Sequence, residues 1–80
     1  MNIIIYTKNG CPNCDSAKQL LAAKSLPYTA HNVETMEGLA AFVPAREKYP
    51  AIRQMPAIII NDQYVGGLAG LQAALKQLNL

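Results

Sequence analysis

The stretch Lys8-Asn9-Gly10-Cys11-Pro12-Asn13-Cys14 contains both cysteines of the chain, separated by two residues. The apolar run at residues 3–6 precedes it, and a helical pattern begins at Pro12. A C-x-x-C placed between a buried strand and the start of a helix is typical of a thiol–disulfide redox motif. The stretch therefore predicts a redox-active cysteine pair at the junction between a strand and a helix.

The chemistry of this pair depends on the thiolate, which is the nucleophilic form of cysteine. A helix N-terminus favours an anion through its unpaired N–H groups and its partial positive charge. Pro12 suits the first helical position, so Cys11 is expected at the cap, with Lys8 as a cationic neighbour and Asp15 pointing into solvent. Cys14 lies one turn further along, within reach of a disulfide. We assign Cys11 as the attacking cysteine and Cys14 as the resolving one.

Three other interpretations of the cysteine pair explain the sequence less well. A structural disulfide across so short a loop removes little entropy from the unfolded chain. A zinc site needs about four ligands, and His31 is the only histidine, so a monomer lacks them and no metal is expected. Two inert core thiols remain an alternative, but they leave the proline at the first helical position unexplained.

Length and composition predict a single domain over residues 1–80, of which 51% are apolar. No apolar run approaches the ~20 residues of a membrane helix, and no signal peptide is visible at the N-terminus. We therefore expect a cytoplasmic protein with no membrane partner. The formal net charge of +2 comes without a basic cluster, so no nucleic-acid partner is expected.

The pattern of the chain predicts the order βαβαββα. Strands are expected at residues 2–7, 28–33, 57–60 and 63–65, with a turn at Asn61-Asp62. Helices are expected at residues 12–24, 34–49 and from about 68. Two parallel strands joined by the first helix make a right-handed βαβ unit.

Apolar spacing also predicts which faces of the helices are buried. In the second helix, which Thr35 can cap, the predicted stripe consists of Met36, Leu39, Ala40 and Val43. Pro44 falls inside this pattern and predicts a kink or an early stop, and Arg46, Glu47 and Lys48 are interpreted as a solvated charge patch. In the last helix, the predicted stripe consists of Leu68, Leu71, Leu75 and Leu78.

Four sequence blocks in this order resemble glutaredoxin, of the thioredoxin-like superfamily, over nearly the whole chain. The blocks are Ile5-Tyr6-Thr7-Lys8, Cys11-Pro12-Asn13-Cys14, Met55-Pro56 and Val65-Gly66-Gly67. The resemblance implies an α/β fold with a four-stranded mixed sheet of order 2-1-3-4. The first and third helices would cover one face of this sheet and the second helix the other.

The resemblance also implies a glutathione site. The proline at position 56 would be cis and would leave the backbone of Met55 free to bond glutathione or an extended peptide. Gly66-Gly67 would let the backbone approach glutathione at the start of the last helix, and Lys8 would lie near the glycine carboxylate. The implied glutathione or substrate contacts are Lys8, Pro12, Asn13, Gln54, Met55, Pro56, Gly66, Gly67 and Leu68.

The chain departs from the family pattern at three places. Leu68 and Ala69 stand where an aspartate usually helps to hold the glutathione amino group, so glutathione is expected to bind about ten- to a hundredfold more weakly. Asn13 replaces an aromatic residue. The run Arg53-Gln54-Met55-Pro56 resembles glutaredoxin-like redoxins that serve ribonucleotide reductase and are reduced by thioredoxin reductase.

The resemblance implies a monomeric thiol–disulfide oxidoreductase with glutathione as reductant and no bound cofactor. Its partners would be disulfide-containing proteins, among them ribonucleotide reductase. A redoxin reduced by thioredoxin reductase is the first alternative, and a protein that binds an iron–sulfur cluster through Cys11 and glutathione is the second. Tyr6 and His31 are expected to serve packing rather than chemistry.

Overall fold

A computed structural model describes residues 1–80, and its helices and strands follow the predicted order. The strands are β1 (Ile3–Thr7), β2 (Thr29–Asn32), β3 (Ala57–Ile60) and β4 (Gln63–Gly66). The helices are α1 (Pro12–Ala23), α2 (Met36–Lys48) and α3 (Leu68–Gln77). No helix combines the length and the apolar character that a membrane span requires.

The four strands form one sheet of order β2-β1-β3-β4, as predicted. β1 runs parallel to β2 and antiparallel to β3, and β4 pairs antiparallel with β3. At the β3–β4 turn, Asn61 and Asp62 both have positive φ, 50° and 65°. Two such residues make the turn whose twist matches a two-residue hairpin. The central position of β1 and β3 explains why both strands are continuous apolar runs.

Side-chain alternation along β1 divides the core into two clusters, one on each face of the sheet. Ile3 and Ile5 point to the face covered by α1 and α3, whereas Tyr6 points to the face covered by α2. The first cluster consists of Ile3, Ile5, Ala17, Leu21, Ile58, Ile60, Leu71 and Leu75. The second consists of Tyr6, Ala45, Ile52, Ala57 and Ile59. Helices therefore lie on both faces, with α1 and α3 together.

The predicted buried stripe of α2 is wrong. Met36 is 89% exposed, Leu39 and Val43 are each 50% exposed, and Ala40 is exposed as well. The inward face consists instead of Gly38, Ala41, Phe42 and Ala45. The cause is close approach of the backbones, since a Cβ on Gly38 would lie 1.8 Å from the carbonyl oxygen of Asn32. The fully buried positions of this helix are therefore the small residues Gly38 and Ala45.

The predictions at Pro44 and Leu78 also need correction. α2 does not stop at Pro44 but continues to Lys48. Pro44 and Ala40 both lie on the exposed side, where water can bond to the carbonyl that loses its helical partner. In α3, Leu71 and Leu75 are buried as predicted, but Leu78 lies beyond the last helical residue and is 47% exposed.

The contact between α3 and β4 predicts the effect of one substitution. A Cβ on Gly70 would lie 1.9 Å from the carbonyl oxygen of Val65. Since the obstacle is backbone, Gly70→Ala must shift α3, and we expect a loss of about 2 kcal/mol in the free energy of unfolding. Urea denaturation measures this loss, with Gln72→Ala on the exposed side of α3 as the control. A more stable Gly70→Ala protein, as helix propensity alone predicts, would contradict the packing argument.

Candidate active site

Cys11 is the N-cap residue of α1. Its backbone is extended, with φ −117° and ψ 93°, and its Sγ accepts a hydrogen bond from the N–H of Cys14 at 3.1 Å. Two local features produce this geometry. Gly10 has φ +62°, which turns the chain between β1 and the helix, and Pro12 fills the first helical position. The sulfur thus lies where the helix terminus stabilises negative charge, as predicted.

Cys11 and Cys14 are joined by a disulfide, with their Cα atoms 5.2 Å apart. This distance lies in the range usual for disulfides, so the pair can form and break its bond without a large backbone movement. Cys11 keeps 8% of its surface exposed, whereas Cys14 keeps only 1%. An incoming thiol therefore reaches Cys11 before Cys14. No group of three or more His, Cys, Asp or Glu side chains comes together in the structure.

The segment before β3 and the segment before α3 meet beside the strand that leads to the cysteines. The Met55-Pro56 bond is cis, as predicted, and Pro56 is buried. A Cβ on Gly67 would lie 3.4 Å from the carbonyl oxygen of Pro56 and 3.8 Å from Nε2 of Gln54. The structure therefore brings Gln54, Pro56 and Gly67 together. Gly66 has φ +108°, a conformation that only glycine adopts readily.

A groove of about 280 Å³ lies between the loop before Cys11, α2 and the Met55 segment. Three cationic residues line it and no carboxylate does; the lining residues are Lys8, Phe42, Arg46, Ile52, Arg53, Gln54 and Met55. The groove therefore suits an anionic ligand. The part that α2 plays here differs from the prediction, in which Arg46 is only a solvated charge. The spacing of Phe42 and Arg46, one turn apart on α2, is the signal that could have found it.

Asn13 and Leu68, two more of the predicted contact residues, lie outside the groove. Asn13 is exposed in the first turn of α1. The side chain of Leu68 is half-buried and packs against the core cluster between the sheet, α1 and α3. The N-cap of α3 is Gly67, and no side chain caps this helix. The N–H groups of its first turn are therefore free of a competing side-chain acceptor.

Tyr6 and His31 belong to the packing of the sheet, as expected. Their rings stack with centroids 5.5 Å apart, and Phe42 contacts Tyr6 from α2 at 5.3 Å. Burial raises the pKa of the Tyr6 phenol above its ordinary value, and the neighbouring Tyr49 adds to the rise. Tyr6 therefore remains protonated at neutral pH.

Comparison with known proteins agrees with this geometry. The glutaredoxin family model matches residues 3–65. Glutaredoxin 3 of Escherichia coli is 35% identical over 72 residues, a match that covers 90% of this chain and 83% of that protein. The mitochondrial glutaredoxin-2 of Mus musculus is 28% identical over 75 residues, and this chain spans only 48% of its length.

Two solved structures extend the agreement to three dimensions. Glutaredoxin 1 from Francisella tularensis, complexed with cacodylate, has a TM-score of 0.75 and 29% identity, covering 99% of this chain and 98% of that one. The glutaredoxin-like NrdH-redoxin from Escherichia coli has a TM-score of 0.69 and 25% identity, covering 91% and 93%. With its C-x-x-C disulfide at the N-terminus of α1, the chain belongs to the glutaredoxin family of thiol–disulfide oxidoreductases.

Proposed function

We propose that this protein reduces protein disulfides and glutathione mixed disulfides, with glutathione as its reductant. The observation that carries the proposal is the position of Cys11, whose sulfur caps α1 and is also bonded to Cys14. A sulfur in this place is favoured as a thiolate when reduced. A dithiol of this kind can pass two electrons to a substrate disulfide.

The reduction of a substrate disulfide takes place in two exchanges. The Cys11 thiolate attacks one sulfur of the substrate, the substrate S–S bond breaks, and the first substrate thiolate leaves. Cys14 then loses its proton and attacks the Cys11 sulfur, which releases the second substrate thiolate. The substrate gains two electrons, and the enzyme is left with the Cys11–Cys14 disulfide.

Glutathione then restores the dithiol. One glutathione thiolate attacks the Cys11 sulfur, which is the more exposed of the pair, and frees Cys14 as a thiolate. A second glutathione attacks the resulting mixed disulfide and leaves as glutathione disulfide, returning Cys11 as a thiolate. Two glutathione molecules supply the two electrons. Potentials of about −200 to −230 mV, usual for glutaredoxins, allow a glutathione pool to perform this step.

Three features of the site support glutathione binding. The cationic groove offers Lys8, Arg46 and Arg53 to the glycine carboxylate. The uncapped N-terminus of α3 offers N–H groups to the γ-glutamyl carboxylate. Met55, which precedes the cis proline, lines the same groove, where its backbone would bond the ligand. Nothing equivalent serves the glutathione ammonium, because Ala69 carries no carboxylate, and we expect weak binding for this reason.

A second candidate donor is thioredoxin reductase. Arg53 and Gln54 line the groove next to the cis proline, and they belong to the run that resembles the redoxins serving ribonucleotide reductase. The similarity to NrdH-redoxin, a protein with a thioredoxin-like activity profile, points the same way. The chemistry at Cys11 and Cys14 is the same with either donor, and ribonucleotide reductase is a candidate substrate with both.

Serine substitutions test the roles of the two cysteines. Cys11→Ser removes the attacking thiolate and is expected to abolish reduction of every disulfide. Cys14→Ser is expected to keep reduction of a glutathione–cysteine mixed disulfide but to lose reduction of a protein disulfide, because that reaction needs the resolving thiol. Both activities are followed by NADPH oxidation with glutathione reductase and glutathione. Equal loss in the two variants would contradict the assignment.

The cationic groove predicts a charge effect at Arg46. Arg46→Gln removes one cation from the groove and is expected to raise the KM for a glutathione mixed disulfide about two- to fivefold, the range for one exposed charge pair. Lys48→Gln changes the charge of α2 equally but lies outside the groove, and it is the control. An identical KM in the two variants would show that Arg46 does not meet the ligand.

The choice of donor is tested by two coupled assays on the wild-type protein. One supplies NADPH, glutathione reductase and glutathione, and the other supplies NADPH and thioredoxin reductase. We expect turnover with glutathione, since the groove and the N-terminus of α3 both suit its carboxylates. If the protein turned over only in the assay with thioredoxin reductase, thioredoxin reductase and not glutathione would be its donor.

A further inference from the structure

The loop formed by Lys8, Asn9 and Gly10 carries the site but has little packing to hold it. All three residues are exposed, and Gly10 adds backbone freedom. Yet Lys8 lines the cationic groove, and Cys11 follows immediately. An exposed loop of this kind is ordered only if specific hydrogen bonds offset its conformational entropy.

Those hydrogen bonds come from the segment that runs from the end of β2 to the start of α2, and the two that reach the loop are both made by Asn9. The carboxylate of Glu34 accepts a hydrogen bond from the backbone N–H of Asn9. Nδ2 of Asn32 donates to Oδ1 of Asn9 at 2.8 Å. Oδ1 of Asn32 in turn accepts from the N–H of Glu34 at 2.9 Å. Asn9 is therefore held at both its backbone and its side chain.

The segment that holds Asn9 is itself fixed to the fold. The Thr35 hydroxyl donates to the carbonyl of Asn32 at 2.7 Å and accepts from the N–H of Gly38 at 3.0 Å. The N–H of Val33 donates to the carbonyl of Thr7 at 2.9 Å, which continues the sheet. The segment is thus bound to the start of α2 through Asn32 and Thr35 and to the end of β1 through Val33, and it offers a rigid support to the loop.

We propose that Glu34 is a positioning residue of the redox site. Together with Asn32 and Asn9 it forms a clasp, which holds the loop so that Lys8 reaches the groove and Cys11 stays at the N-cap of α1. The proposal rests on the function given above, and it adds residues that touch neither the substrate nor the reacting sulfurs. Its effect reaches the chemistry only through the geometry of the loop.

A positioning role and a purely electrostatic role of Glu34 predict opposite changes in the pKa of Cys11 when Glu34 is replaced. If the clasp is lost, the sulfur leaves its ideal place at the helix terminus and the pKa of the Cys11 thiol rises. If only a negative charge is lost, the thiolate is favoured and the pKa of Cys11 falls. Glu34→Gln keeps an acceptor oxygen without the charge, whereas Glu34→Ala removes both. Lys8 and Asp15, the charged side chains flanking the cysteines, are unchanged in each variant.

The experiment compares Glu34→Ala and Glu34→Gln with Glu37→Ala as the control, since Glu37 is an exposed acid in the first turn of α2 and the hydrogen bonds of Asn9 go to Glu34 and Asn32 instead. The rate of alkylation of Cys11 as a function of pH gives its pKa. The coupled assay gives KM and kcat for a glutathione mixed disulfide. Thermal unfolding verifies that each variant is folded.

In Glu34→Ala we expect a raised pKa of Cys11 and a KM raised roughly fivefold, as for the loss of one hydrogen bond. The KM of Glu34→Gln is expected to stay within about twofold of the wild-type value, because the amide oxygen still accepts a hydrogen bond from Asn9. Asn9→Ala removes the bond to Asn32 but keeps the backbone bond to Glu34. Its pKa of Cys11 and its KM are expected to lie between those of Glu34→Gln and Glu34→Ala.

Two results would overturn the proposal. Glu34→Ala could match Glu37→Ala in both the pKa of Cys11 and KM, or Glu34→Ala and Glu34→Gln could both lower the pKa of Cys11, which is the sign of a charge effect. The alkylation measurement needs neither glutathione nor a reductase. A wild-type protein that fails to turn over with glutathione would therefore refute the proposed donor while the test of the clasp still stands.

Discussion

The hydrogen bond from the N–H of Cys14 to the sulfur of Cys11 is the interaction on which the site depends. It makes a sulfur atom the cap of α1, in the place where Ser, Thr, Asp or Asn usually provide an oxygen. Such a sulfur receives both a donor and the positive end of the helix. The turn at Gly10 and the proline at position 12 serve this single arrangement. The rest of the fold has to place the end of β1 at this point and a substrate site beside it.

The sheet meets both requirements through its register. β1 is the strand that ends at the cysteine loop, and its antiparallel pairing with β3 sets Tyr6 opposite Ala57. β3 begins at Ala57, directly after the cis proline, so the cis proline is adjacent to the end of β1. The same strand is parallel to β2, with Thr7 opposite Asn32. The C-terminal ends of β1 and β2 therefore lie side by side, and the clasp residues lie next to them. One strand thus gathers the cysteines, the cis proline and the clasp.

Much of this arrangement could be predicted from the sequence, because it rests on local signals. Each of these signals lies within a few consecutive residues: the cysteine spacing, the proline at the first helical position, the turn at Asn61-Asp62 and the apolar runs of β1 and β3. The buried face of α2 could not be predicted in this way. Apolar spacing favours Leu39 and Val43, whereas contact with the sheet selects the small residues Gly38 and Ala45. The clasp leaves no local pattern either, since Asn9 and Glu34 are 25 residues apart.

The same N-cap bond bears on the choice of reductant. A donor at a helix terminus stabilises a thiolate more than a neutral disulfide sulfur, because a hydrogen bond to a charged acceptor is the stronger one. The geometry around Cys11 therefore favours the reduced pair over the disulfide, which raises the reduction potential. A pair with a raised potential can be reduced by a mild donor such as glutathione and does not require a stronger one. If glutathione is the donor, as proposed, its binding can consequently be weak, as Ala69 leads us to expect, without preventing the reaction.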